Sequence, residues 1–134
     1  MERLLLVEDD YLLAFPLEAL LTEAGYAVET THRGDEAIKV LHRGNALFGA
    51  LITDIRLGDG PDGWQVARRA RELQASIPVI YMTADSAALW EANGVPESHM
   101  LRKPFGLDEL TRMVHKAIHN ALKSSVHRRL MLDA

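Results

Sequence analysis

The chain has 134 residues, 48% of them hydrophobic, with a mean hydropathy of −0.06 and a formal charge of −4. That length holds one domain with a sizeable core and no comfortable second one. The absence of cysteine excludes disulfides, thiolate metal sites and cysteine nucleophiles together. The acidic balance argues against a general nucleic-acid binder, although charge is uneven: seven Lys or Arg stand from Arg102 to Arg129 against only Asp108 and Glu109. No apolar run reaches the ~20 residues of a membrane span. Acids interrupt the N-terminal MERLLLVEDD too early for a signal peptide, so a cytoplasmic location away from the membrane is expected.

In chain order, the apolar run 4–7 predicts a strand and 11–24 a helix, in which Pro16 deletes one backbone hydrogen bond and should bend the axis. Strand 26–30, helix 34–43, strand 50–53 and helix 64–75 follow, then strand 79–83, helix 85–93, strand 100–102 and a last helix from about 107. In that last helix Leu107, Leu110, Val114, Ala117, Ile118 and Ala121 recur at three- and four-residue steps, the stripe of a helix packed on one face. Strict alternation of strands and helices implies right-handed crossovers and a parallel sheet covered on both faces, which explains strands that are nearly all apolar. Residues 1–122 form the predicted domain, and 123–134 a basic extension that continues the last helix or frays. That extension is too short to read DNA with a fold of its own, so no direct nucleic-acid binding is expected.

In open α/β sheets, functional groups gather in the crevice at the carboxyl ends of the strands, near the point where strand order reverses. That rule selects Glu8, Asp9 and Asp10 after the first strand, Asp54 after the third, Thr83 at the end of the fourth, and Lys103 with Pro104 after the fifth. The acids crowded in LLVEDD repel one another, so something must offset them. Clustered carboxylates without cysteine suit a hard, oxygen-seeking cation such as Mg2+, which takes one or two carboxylates and keeps positions for water and phosphate oxygens. Such an ion at Glu8, Asp9 and Asp54 relieves the repulsion, and Asp10 is the natural N-cap of the first helix.

These residues resemble the response regulator receiver domain of two-component signalling, over residues 3 to about 121. The resemblance rests on the acidic pair in LLVEDD, the aspartate of LITDIRL, Asp62–Gly63, the hydroxyl of YMTA and the run RKPF. Each piece alone is weak, but in this order at these strand ends they are specific. The resemblance implies a flavodoxin-like (βα)5 fold, a doubly wound parallel five-stranded sheet in the order 2-1-3-4-5. It implies that Asp54 is the phosphoacceptor, that Glu8 and Asp9 hold Mg2+ together with Asp54 and the backbone carbonyl of Arg56, that Thr83 donates to a phosphoryl oxygen, and that Lys103 pairs with the phosphate. A cis peptide between Lys103 and Pro104 is implied as well, since only proline makes that isomer tolerable. The implied partner is a histidine kinase or histidine phosphotransferase, with output by protein contact or phosphate transfer and no enzymatic turnover beyond the chain's own phosphorylation and dephosphorylation. The style of DIRLGDGPDGW and PVIYMTAD is similar to the stand-alone or kinase-associated receivers of alphaproteobacteria.

Two other classes compete. A phosphatase of the haloacid dehalogenase type also uses a strand-end aspartate with Mg2+, but it needs a second aspartate two positions on, where this chain has Arg56. A flavodoxin-like cofactor binder should offer hydroxyls and glycines after the first strand, and three carboxylates repel a phosphate. Departures from the receiver pattern carry expectations of their own. The loop IRLGDGPD is one residue longer than usual, and the short stretch from Thr83 to Lys103 predicts a short or irregular fourth helix. Met100 stands where the family has its aromatic switch residue, which predicts a softer switch, with reorganisation between Thr83 and His99 that exposes or hides Leu89 and Trp90. Arg56 and Asp85 lie two residues beyond Asp54 and Thr83, flanking the mouth of the site. They either form an ion pair that shields an acyl phosphate from water or stand as two separate solvated charges. His115 and His119 share a helix face at metal-ligand spacing, but without an obvious third ligand they read as a solvated face. Trp64 and Trp90 read as packing residues, and the basic stretch after Arg102 as a solvated helix face.

Overall fold

The computed structural model describes residues 2–44 and 47–133; Met1, Asn45, Ala46 and Ala134 of the two predicted segments lie outside the described residues. Strands β1 (Arg3–Val7), β2 (Ala27–Thr31), β3 (Ala50–Asp54), β4 (Val79–Thr83) and β5 (His99–Arg102) pair in parallel in the order β2-β1-β3-β4-β5. Helices α1 (Tyr11–Glu23), α2 (Gly34–His42), α3 (Gly63–Leu73), α4 (Trp90–Asn93) and α5 (Leu107–Asp133) alternate with them. This is the doubly wound sheet expected from the alternation, with its reversal of strand order between β1 and β3.

The two-residue period of a strand divides the core between the sheet's faces. Leu5, Val7, Leu51, Val79 and Tyr81 point to one face, where Ala37 and Val40 of α2 and Trp64, Val66 and Ala67 of α3 cover them. Leu4, Leu6, Ile52, Ile80 and Met82 point to the other, under Leu17 and Leu21 of α1 and Leu110 and Val114 of α5. Between the helices the central strands thus present mainly apolar side chains to both faces, and truncating one, as in Leu51→Ala, costs about 2–5 kcal/mol. Trp64 is a packing residue as read from the sequence, its ring centroid 4.7 Å from that of Tyr81. Among the described residues no helix is long and apolar enough to cross a membrane.

Local signals set the helix starts. Asp10 caps α1 by accepting from the Leu12 N–H at 2.9 Å, and Asp62 and Gln65 form a reciprocal capping box on α3, both bonds 2.9 Å. Pro16 sits within α1, which continues past it to Glu23, and the proline lies on the solvent-exposed side of the helix. The helix expected over 85–93 is reduced to a single 3-10 turn, Ala87–Leu89, followed by the four-residue α4. The Thr83 hydroxyl accepts the Asp85 and Ser86 N–H groups at 3.2 and 2.8 Å and so anchors the start of this stretch, as a helix cap would. Helix α5 runs 27 residues, through the extension to Asp133.

Candidate functional site

Strand register builds the site. β1 and β3 pair with Val7 opposite Thr53, so the next residues, Glu8 and Asp54, emerge side by side at the sheet's carboxyl edge. β4 and β5 pair with Thr83 opposite Arg102, and the Lys103 N–H donates to the Thr83 carbonyl at 2.8 Å, which sets Lys103 at the same edge. The Lys103–Pro104 peptide is cis. The Lys103 ammonium donates to Glu8 Oε1 at 2.8 Å and to Asp54 Oδ2 at 3.1 Å. Asp54 Oδ1 accepts the Ile55 N–H at 2.8 Å, and Glu8 Oε2 accepts the Asp10 N–H at 3.2 Å.

Glu8 is fully buried, Asp54 9% exposed and Asp9 exposed. Burial is the main force on Glu8 and pushes its pKa up to about 7, against the bond from Lys103 and with the help of the neighbouring Asp54 charge. Burial works against the Lys103 ammonium too, but the two carboxylates outweigh it and raise its pKa, so it stays charged.

Oxygens of Glu8, Asp9 and Asp54 lie within 4.8 Å of one another, the one such cluster of potential ligands among the described residues. With all three ionised, the single Lys103 ammonium leaves two negative charges uncompensated. An all-oxygen donor set with that residual charge fits a hard divalent cation. His115 and His119 are exposed on α5 and contribute to no such cluster, as expected of a solvated face.

Thr83 is buried, and its hydroxyl oxygen accepts two backbone N–H groups, which leaves its proton to be donated. Ser86 donates its hydroxyl to Asp85 Oδ1 at 2.9 Å. The other carboxylate oxygen of Asp85 pairs with Arg56 Nε at 3.0 Å, so these side chains meet across the mouth while remaining 75% and 52% exposed. Gly63 is required by proximity: its N–H donates to Ile55 O at 2.7 Å, and a Cβ there would collide with the Asp54 carbonyl oxygen. Gly58 and Gly60 turn the long loop with φ of +74° and +89°. Met100 lies opposite Tyr81 in the β4–β5 register, half-buried against the core beneath α3.

Two features of the site are absent from the sequence reading. His32 hydrogen-bonds through Nδ1 to the Glu8 carbonyl at 2.9 Å, a contact that requires the proton on Nδ1, and the Tyr11 ring stacks on it at 3.8 Å. The signal was the register: Val7 pairs with Thr31, so the residues after them are neighbours. The second is that Lys103 and Glu8 pair directly, across 95 positions of sequence.

The chain matches the family model of the response regulator receiver domain over residues 4–115. A transcriptional regulatory protein, DltR of Streptococcus agalactiae, is 34% identical over 110 residues, covering 81% of this chain and 48% of that protein. The chain thus spans about half the length of the curated relatives it matches. A response regulator receiver protein from Sinorhizobium medicae superposes with a TM-score of 0.86 at 38% identity, covering 90% of this chain and 96% of that one. The receiver domain of a Pseudomonas aeruginosa sensor histidine kinase, solved with magnesium coordinated in its active site cleft, has a TM-score of 0.75 at 28% identity, covering 88% and 98%. The protein belongs to the response regulator receiver domain family of two-component systems, and the phosphatase and cofactor-binder alternatives fall away.

Proposed function

We propose that this receiver takes a phosphoryl group from a phosphohistidine of a histidine kinase or histidine phosphotransferase onto Asp54. The observation that carries the reading is the meeting of Asp54 with the Lys103 ammonium, 3.1 Å away, inside a cluster of acids at the strand ends. In the reaction a carboxylate oxygen of Asp54 bonds to phosphorus while the bond to the donor imidazole breaks. The charge spread over the equatorial oxygens then meets positioned donors. Lys103 stands ready to follow Asp54 toward one of those oxygens, and the Thr83 hydroxyl proton is available to another.

Glu8, Asp9 and Asp54, with the Arg56 backbone carbonyl, would hold Mg2+; the similar sensor histidine kinase receiver domain has magnesium coordinated in its active site cleft. When bound, Mg2+ would neutralise phosphoryl and carboxylate charge. The Arg56–Asp85 pair acts as a screen at the mouth that slows attack of water on the acyl phosphate. Residues 1–122 are the receiver body and 123–134 its extension; the protein works in the cytoplasm, through protein contact or phosphate transfer, and is a switch with no substrate of its own to turn over.

Intact-mass measurement after incubation with acetyl phosphate and Mg2+ tests the assignment. One labile phosphoryl group should appear on the wild type and none on Asp54→Asn, and Asp9→Ala should lose the dependence on the metal. Full labelling of Asp54→Asn overturns the reading.

A further inference from the structure

The apolar line of α5 changes face where the helix leaves the domain. Leu110, Val114 and Ala117 are buried against the sheet and Ala121 is half-buried, but beyond it the line turns polar at Ser124 and Arg128, which border an open cleft of about 860 Å3. A second line, Leu122, Val126 and Leu130, begins roughly a quarter turn or more around the helix. Its members are 59%, 59% and 64% exposed. They recur at four-residue steps, the spacing at which helical side chains stand above one another. His115 and His119 continue the line toward the body. Nothing among the described residues covers it.

The charge around the line is of one sign. From Leu110 to Leu132 there is no Asp or Glu, while Lys116, Lys123 and Arg129 flank the line, none of them in an ion pair among the described residues. Five of the chain's 15 Lys and Arg and one of its 19 Asp and Glu fall in 110–134, so this segment carries +4 while the chain as a whole carries −4. Pairing α5 with α5 of a second copy sets cations against cations in either direction. An anionic bilayer attracts the helix but repels the acidic body beside it, and the exposed line is aliphatic, without the aromatic residues that favour interfaces with lipid. A separate helix meets only α5, and acids on its flanks complement all three cations.

We propose that the exposed side of α5 around Leu122, Val126 and Leu130 is a docking surface for an acidic amphipathic helix of a partner protein. The apolar line supplies contact area and the cations set the choice of partner. This surface is distinct from the phosphoacceptor site and does not depend on that reading.

The probe is a synthetic, fluorescently labelled helix of about three heptads with a leucine seam flanked by glutamate, titrated with the full chain and followed by anisotropy. Binding is expected that weakens at least tenfold in Leu122→Ser/Val126→Ser, at least tenfold in Lys123→Glu/Arg129→Glu, and to a similar degree when serine replaces the probe's leucines. All four positions are exposed, and unchanged circular dichroism and thermal midpoint would confirm an intact fold. No binding, or binding indifferent to the serine variants, overturns the proposal. So does co-sedimentation of the chain with phosphatidylglycerol vesicles that the serine variants abolish. Concentration-dependent self-association of the chain alone, lost in Val126→Ser by sedimentation velocity, would also overturn it in favour of a second copy.

Discussion

The Lys103 ammonium lies 2.8 Å from Glu8 Oε1, so a fully buried carboxyl group and a largely buried cation meet beside Asp54. The same ammonium reaches Asp54 Oδ2 at 3.1 Å, which makes Lys103 a bridge between an acid of β1's end and one of β3's. A bridge of this kind holds the site together before any phosphate arrives, and it can move with Asp54 once that carboxylate is modified.

Replacing Lys103 by alanine should therefore separate two properties. The carboxylate cluster keeps all its oxygens, so Mg2+ binding, followed by Trp64 fluorescence, should persist. Phosphorylation by acetyl phosphate should slow by about 10²-fold, the scale of losing one positioned donor to developing charge. Loss of metal binding in this variant would show that Lys103 organises the ligands rather than the phosphate.

Glu8 gives a pH prediction with a definite sign. Its pKa is 4.5 in the unfolded reference and about 7 in the folded chain, chiefly through burial. Between those values the metal-free folded state holds a proton that the unfolded state has released, so folding stability falls as pH rises from 4.5 to about 7. Mg2+ competes with that proton, so its affinity should rise over the same window. Urea titrations at fixed pH without metal should show the decline, and Glu8→Gln, which keeps the neutral form, should flatten it. A wild-type stability that climbs across this range would contradict the buried, proton-holding Glu8.

Much of this arrangement was legible in the chain because strand ends are marked by a change from apolar to charged residues. LLLV followed by EDD, and LIT followed by DIR, state both the strand and what it delivers to the edge. The parallel order then brings the edges together. Contacts that depend on register or on side-chain reach were not legible: the His32 bond to the Glu8 carbonyl needs the β1–β2 pairing, and the Lys103–Glu8 bridge needs a lysine stem to fold inward. The stretch after Thr83 was legible in part: its shortness predicts a short or irregular fourth helix, as the 3-10 turn and the four-residue α4 are, but the position of the break was not legible. Apolar spacing at 85–93 reads as one helix, and periodicity does not show where such a stretch breaks into a 3-10 turn and a single α-helical turn.

The Arg56–Asp85 pair at 3.0 Å is exposed on both sides, so its own strength is small, about 0.2–1 kcal/mol. Its expected effect lies in hydrolysis of the acyl phosphate, where coupling of that size amounts to no more than about fivefold. Arg56→Ala and Asp85→Ala should each speed dephosphorylation, and the double variant should be no faster than either single one. Multiplying effects in the double variant would mean two independent charges.

The last prediction concerns how the state of Asp54 reaches the surface. Thr83 holds the start of the following loop by accepting the Asp85 and Ser86 N–H groups, and a hydroxyl turned toward a phosphoryl oxygen gives up that geometry. Beyond it the loop hangs on a short chain of contacts. Trp90 Nε1–H donates to the Ser98 hydroxyl at 2.9 Å, Ser98 donates to the Val95 carbonyl at 2.6 Å, and the Val95 N–H donates to the Tyr81 hydroxyl at 3.1 Å. Met100 fills its place on β5 in several rotamers rather than in two sharply distinct positions, so the change should appear in this loop instead. Leu89 and Trp90, both exposed, are the side chains it would move. In a Trp64→Phe background, beryllofluoride with Mg2+ should shift Trp90 fluorescence and speed or slow amide exchange across residues 85–99. Thr83→Ala should suppress both responses while leaving Mg2+ binding intact. If the loop is silent on activation and Met100→Ala alone abolishes partner binding, the signal runs through β5 and the loop is a bystander.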